Sequence, residues 1–304
     1  MSEKTLHSRS FPVLYDDVDS LAFAKPVSLL HYLEEAAASH CEDSGWGVFR
    51  LLSEGHGWVL LRGGFEMRRY PAYRENVTVE TWVSSSRRFC AEREYRVLSA
   101  SGEPLGEARA LWLFCDLASR RPATIFPEIL EAWAPNGRRA GGLSLDEIEG
   151  PPADAAAPLD VVAPGGGFAV RAGDIDTNGH VNNAIYLSWA LEALPKEARE
   201  GMMLSRVRGQ WKKEITFGLS VQPRAAHEGE GRYRLGIYGA GAAAGAAGGG
   251  AAGARRGDSA AAAGPDGGLG GAGGTDRADA AAASAPWLAA AAESEWTPIP
   301  VIRR

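Results

Sequence analysis

The stretch "DIDTNGHVNNAIYLSWALEAL" (174–194) puts two Asp, three Asn and one His into its first ten residues, then turns into an apolar-rich run. Asp, Thr and Asn ahead of a helix are ordinary caps for its orphan N–H groups. One cap needs one side chain, so capping leaves His180 and the Asn182–Asn183 pair unexplained. A helix N-terminus also offers free amides and positive potential. Both favour the oxyanion that forms when a nucleophile attacks a carbonyl. Carboxylates nearby can activate water, and a histidine can orient it or carry its proton. The constellation fits hydrolysis of an acyl compound, with Asp176, Asn178 and His180 as candidate catalytic residues. Val181 and Asn182, at the helix start, are candidates for substrate binding.

Other chemistries find less support. One His without an HxxxH pattern or a Cys pair does not match the common zinc sites. No G-x-S-x-G nucleophile turn occurs, and Cys41, Cys90 and Cys115 all lie in the first half of the chain. A Gly/Ala-rich stretch later in the chain lacks the Lys-Ser/Thr ending of a phosphate loop. Neither a metal nor a cofactor is expected.

The elements that must position these residues occur twice. Residues 17–37, "DVDSLAFAKPVSLLHYLEEAA", lie under 174–194 so that Asp17 meets Asp174, Asp19 meets Asp176 and Ser20 meets Thr177. Leu30 then meets Leu187, Tyr32 meets Trp189 and Glu35 meets Glu192. "RRYPAYRENVTV" (68–79) lies over "KKEITFGLSVQP" (212–223), "YRVL" (95–98) over "YRLG" (233–236), and Trp112 over Trp296. The matches keep their order, which marks a tandem duplication. In the first copy Leu21 and Phe23 stand where the second has Asn178 and His180, and Tyr70 stands where it has Glu214. One half keeping the polar groups is what a catalytic half and a binding half would show. Glu214 therefore joins the catalytic candidates, against the plainer reading of an exposed strand residue beside Lys212 and Lys213.

Within one unit, "FPVLYDD" alternates and predicts a strand. "PVSLLHYLEEAAASHCEDSG" predicts a helix, with Pro26 suited to its first turn, Gly45 to its stop, and Val27, Leu30, Leu33 and Ala37 as its apolar stripe. "GWVLLRGGFEMRRY", "NVTVETWVSSS", "AEREYRVLSA" and "EARALWLFCDLAS" predict antiparallel strands. One helix and a sheet bury each other's apolar faces, which makes each unit α+β.

The chain has 304 residues, 45% hydrophobic and 23% charged, and carries a net charge of -6. At roughly 100–200 residues per domain, two domains are expected. The charge argues against a nucleic-acid binder that relies on global attraction. "MSEKTLHSRS" has no apolar run of a secretory signal, no stretch is apolar enough to span a membrane, and three scattered cysteines read as reduced thiols. The expected setting is cytoplasmic. Pro, Gly and Ala mark 134–166 as a linker, and Gly and Ala from about 239 to 285 read as a disordered insertion in a hairpin.

The motif D-x-N-x-H-V-N-N-x-x-Y (Asp176 to Tyr186), with "WKKE" (211–214), "LLHYLEEAAASH" and "WVLLRGGFEMRRYPAYRENVTVETWVSSS", resembles the acyl-ACP thioesterases of plants and bacteria. The resemblance implies tandem hotdog units, each an antiparallel sheet wrapped around one long helix. Residues 1–133 would form an N-terminal unit that holds the acyl chain, and 167–304 a catalytic C-terminal unit. It implies hydrolysis of fatty acyl-ACP to free fatty acid and ACP, ending chain elongation. The acyl carrier protein with its acyl-phosphopantetheine would be the partner. It carries catalytic roles onto Asp176, Asn178, His180 and Glu214, and the apolar Leu21 and Phe23 suit the binding half. Plant members often have a Cys after the downstream acid. Ile215 stands there, so water activation is expected instead of a thiol mechanism. An acyl-CoA thioesterase of the same fold and a non-catalytic acyl-binding protein are the alternatives. Arg68, Arg69, Arg171, Lys212 and Lys213 are candidates for docking an acidic carrier. Chain-length preference, a homodimer, and the choice of Asp176 or Glu214 as base are left open.

Overall fold

The computed structural model describes residues 6–152, 167–196, 198, 202–240 and 287–298. The Gly/Ala insertion lies almost wholly outside the described residues, as does 153–166 of the expected linker. Strands β1 (His7–Pro12), β2 (His56–Met67), β3 (Asn76–Arg87), β4 (Cys90–Ser99) and β5 (Pro104–Asp116) form the first unit. With them go β6 (Arg121–Pro122) and helices α1 (Pro26–Asp43), α2 (Val48–Ser53) and α3 (Pro127–Trp133). The second unit has β7 (Phe168–Ala169), α4 (Asn183–Glu192), β8 (Met202–Trp211), β9 (Ser220–Gly229), β10 (Arg232–Ala240) and β11 (Trp287–Pro298).

All strands of the described residues belong to one antiparallel 11-stranded sheet, ordered β1-β3-β4-β5-β2-β8-β11-β10-β9-β7, with β6 paired to β5. The second half of that order mirrors the first, strand for strand. The units meet edge to edge where β2 pairs with β8, Gly63 opposite Gly209. A Cβ on Gly64 would stand 2.1 Å from Val207 O, so a side chain there would push the two units apart. Each long helix packs on the same face of this sheet, and α1 also touches α4.

Pro26 opens α1, and Gly45, at φ +77, follows its end. Its buried face is Leu29, Tyr32, Leu33, Ala36, Ala37 and His40, one step around from the stripe expected at Val27, Leu30, Leu33 and Ala37. The rotation follows from packing against β1, β3 and α4 together. The strand expected at "FPVLYDD" lies earlier. β1 ends at Pro12, and Tyr15–Asp17 is a short 3-10 turn. Proline cannot donate to the ladder, which suits it to the end of this edge strand.

As far as residue 152, the expected linker is a packed strap on the sheet face away from α1 and α4. Leu143 and Ile148 are fully buried there. Arg109 Nη1 donates to Leu143 O, Arg62 Nη1 to Leu145 O and Arg208 Nε to Ser144 O. These bonds tie the strap to strands of both units.

Candidate functional site

The two cap loops share one hydrogen-bond pattern. In the first, Asp19 Oδ1 accepts from Leu21 N at 2.9 Å and Phe23 N at 3.1 Å, and Ala22 sits at φ 64. In the second, Asp176 Oδ1 accepts from Asn178 N at 2.8 Å and His180 N at 3.4 Å, and Gly179 sits at φ 80. Ala24 N donates to Pro71 O and Val181 N to Ile215 O, both at 2.9 Å. The backbone scaffold is thus common to both units, and only the second loads it with polar side chains.

His180 Nε2 lies 3.2 Å from Glu214 Oε2. Glu214 is in the loop after β8 and not in a strand. Tyr186 of α4 holds that loop: Ile215 N donates to its hydroxyl at 2.9 Å, and the hydroxyl donates to Lys213 O at 3.4 Å. Burial pushes the Tyr186 phenol well up, so it stays a neutral clamp. Asn178 Nδ2 donates to Asp176 Oδ2 at 3.3 Å. Both Asp176 oxygens are therefore engaged by its own loop.

Asn182 caps α4, its Oδ1 accepting from Ala184 N at 2.8 Å. The amide of Val181, a candidate for substrate binding, is spent on Ile215 O. The first helical amide, on Asn183, has no intrahelical acceptor by helix geometry, and Asn183 faces the cavities described next.

Two residues join the site that sequence reasoning did not select, both from the first unit. Arg120, at φ 55 in the turn after β5, donates from Nη2 to Glu214 Oε2 at 3.0 Å and lies 3.4 Å from His180 Nε2. By the match of Trp112 to Trp296, the counterpart of this turn falls outside the described residues. Glu34 of α1 accepts from Asn182 Nδ2 at 3.4 Å. Burial raises its carboxyl to about 7, partly opposed by Asn182 and Asn183 and reinforced by Asp176. Within the repeat Glu34 stands over Leu191, a polar-for-apolar difference that could have flagged it.

A cavity of about 1100 Å³, its open mouth included, begins at Asp176, Thr177 and Asn178 and runs into the first unit. Trp46, Leu51, Trp58, Val83 and Trp133 give it apolar walls. Arg93 also lines it, but its guanidinium is bonded to His40 Nδ1 at 2.9 Å and lies over Trp133. Burial and then Arg93 hold His40 down to about 3, so its ring is neutral. A second cavity of about 740 Å³ lies under α1 and α4 at the seam of the units.

Leu21 and Phe23, the expected acyl wall, line neither cavity, and Leu21 is 47% exposed. The helix contacts place them at the wrong end of the first unit. Glu34, which meets the start of α4, lies eight positions beyond Pro26, roughly 12 Å along α1. The expected basic surface also divides. Arg69 grips Glu75 at 2.8 and 2.9 Å, and the adjacent Tyr70 bonds Leu204 O, so Arg68 and Arg69 sit near the start of β8. Lys212 and Lys213 lie beyond its other end, and Arg171 stands beside Asp174.

Among the described residues, no helix is long and apolar enough to cross a membrane. Residues 4–133 match the model of the acyl-ACP thioesterase N-terminal domain, and 165–240 that of the C-terminal domain. A palmitoyl-acyl carrier protein thioesterase of Gossypium hirsutum, named as chloroplastic, is 28% identical over 222 residues, covering 68% of this chain and 51% of its own length. An oleoyl-acyl carrier protein thioesterase of Coriandrum sativum is 28% identical over 196 residues, covering 62% and 53%. The chain spans about half the length of the curated relatives it matches. In fold, it is similar to an acyl-ACP thioesterase from Bacteroides thetaiotaomicron, at TM-score 0.74 and 18% identity, over 98% of this chain and 100% of that one. It is likewise similar to the 12:0-ACP thioesterase from Umbellularia californica, at TM-score 0.69 and 20% identity, over 97% and 98%. With its paired hotdog units and both halves matched in order, the chain belongs to the acyl-ACP thioesterase family.

Proposed function

We propose that the protein hydrolyses the thioester of fatty acyl-ACP to free fatty acid and ACP. The observation that carries this is the His180–Glu214 pair at the start of α4, beside a large apolar cavity that opens at Asp176 and Asn178. The acyl chain occupies that cavity, in the first unit. Aromatic and aliphatic walls suit hydrocarbon, at about 0.8 kcal/mol gained per buried methylene.

Glu214 serves as the base. Asp176 is the weaker candidate because its oxygens already accept from Asn178 and His180, as Asp19 does in the unit without the polar set. Water attacks the thioester carbon and gives its proton to Glu214, with His180 relaying it. The oxyanion takes a hydrogen bond from the Asn178 side chain, which has a second N–H, and one from the Asn183 amide. Collapse breaks the C–S bond, and the departing thiolate takes that proton back from Glu214 through His180. Arg121, Lys212 and Arg171 are exposed and are where an acidic carrier docks. Unpaired Cys41, Cys90 and Cys115 favour a reducing compartment such as the cytoplasm.

The test is a product assay with purified acyl-ACP and acyl-CoA of equal chain length. Release of free fatty acid and protein thiol, faster from acyl-ACP, is expected. No turnover of acyl-ACP would overturn the proposal, and faster turnover of acyl-CoA would reassign the substrate.

A further inference from the structure

The start of α4 is held from the other unit. Glu34 of α1 accepts from Asn182 Nδ2 at 3.4 Å, and the Asn183 side chain bonds the same carboxyl. Asn182 is the cap of α4 and Asn183 its first residue. All three line the cavity that opens at Asp176 and Asn178, and the charge of Asp176 is felt at the Glu34 carboxyl. The mechanism above uses the Asn183 amide and gives Glu34 no part.

The repeat supplies a comparison inside the same chain. Asn182 stands over Lys25, Asn183 over Pro26 and Glu34 over Leu191. Lys25 makes no side-chain cap at the start of α1, and Pro26 has no N–H to offer an oxyanion. Leu191 has no side-chain acceptor. One set thus has both an amide and a carboxyl, and its counterpart has neither. Leu191 also shows that an apolar residue serves at this helix position. Burial pushes the Glu34 carboxyl up to about 7, so folding alone would not favour it.

We propose that Glu34 is a positioning residue lent by the first unit: its carboxyl fixes the Asn182 and Asn183 side chains and so aims the Asn183 amide at the thioester oxygen. The inference rests on the acyl-thioester reading above. A shift of the helix start by about 1 Å misplaces that amide, and a misplacement of this size costs about 100-fold in rate. The amide acts on the oxyanion and not on the acyl chain, so the loss falls on kcat and leaves KM.

The variants are Glu34→Gln, which keeps an acceptor oxygen, Glu34→Leu, which takes the residue type of the matched position, and Asn183→Ala, which removes one tether and leaves the backbone amide. For each, kcat and KM are read on one acyl-ACP, and a fluorescent fatty acid reports filling of the cavity without turnover. Glu34→Leu should lower kcat by about 10- to 100-fold and Asn183→Ala by about threefold or more, each with KM and fatty-acid affinity within about twofold of the parent protein. Glu34→Gln should keep about a third or more of the parent kcat, since its carbonyl still accepts. A kcat near that of the parent in Glu34→Leu or Asn183→Ala, an equal fall in Glu34→Gln and Glu34→Leu, or a loss confined to KM would overturn the proposal. Asn183→Ala leaves the buried carboxyl in place, so it decides the matter even where Glu34→Leu does not fold. Absence of acyl-ACP turnover in the parent protein would instead sink the hydrolase reading itself.

Discussion

Replacing Glu34 by Gln should make the protein more stable at pH 8 and not at pH 4. Burial holds the Glu34 carboxyl at about 7 in the folded protein, against an ordinary value of 4.5. The folded state therefore keeps a proton that the unfolded chain has released. This group weighs nothing against folding below about pH 4.5, a growing amount between about 4.5 and 7, and a constant amount above. At about 1.4 kcal/mol per pH unit, the full effect is about 3 kcal/mol. Gln does not titrate, and its carbonyl oxygen can still accept from Asn182 and Asn183. Urea unfolding of both proteins at pH 4 and pH 8 isolates the difference, because every other titrating group is common to the pair. The stability gained by Glu34→Gln should grow by about 2–3 kcal/mol between the two pH values. An equal gain at both, or a loss at pH 8, would show that the carboxyl is ionised and satisfied where it stands.

The paired cap loops allow a contrast between folding and chemistry. Asp19→Ala and Asp176→Ala each remove an acceptor from two backbone amides, and each should cost about 1–2 kcal/mol in denaturant unfolding. In acyl-ACP turnover, only Asp176→Ala should lower kcat, because Asn178 and His180 lose their support. Ala22 sits at φ 64 where the second copy has glycine, so Ala22→Gly should raise the thermal midpoint, with a gain of about 0.5–1 kcal/mol. Gly64→Ala should destabilise by about 3 kcal/mol or more in the same assay, since its Cβ would meet Val207 O across the seam. Arg120→Ala should lower kcat about tenfold with little change in KM, and Arg120→Lys should recover part of it, because the cation orients Glu214 and His180.

Much of this arrangement was legible in the sequence, for physical reasons. Both Asp-rich turns, both helix starts and the long strands are local features, written in period and capping chemistry over short windows. The duplication was readable because each copy needs the same backbone turn, down to the Asp that accepts two amides. What escaped was long-range. Glu34 and Glu35 are neighbours in sequence, yet Glu35 pairs with Arg9 on the surface while Glu34 points at the second unit. Only the seam between β2 and β8, which brings α1 against α4, separates their fates. Arg120 reaches the site from a turn of the other unit, 94 residues away in sequence from Glu214. Leu21 and Phe23 were placed correctly within the repeat and wrongly in space. The repeat puts their loop at the start of α1, while the site proposed for the thioester is at the start of α4.

The central claim is that His180 and Glu214 act together on water at the start of α4. Single-turnover hydrolysis of an acyl-ACP by His180→Ala, Glu214→Ala and the double variant tests it most directly, with folding checked by circular dichroism. Each single variant should be slower by about 100-fold or more, and the double variant little slower than either, because the two act as one unit. Rates near that of the parent protein in both single variants would contradict the account.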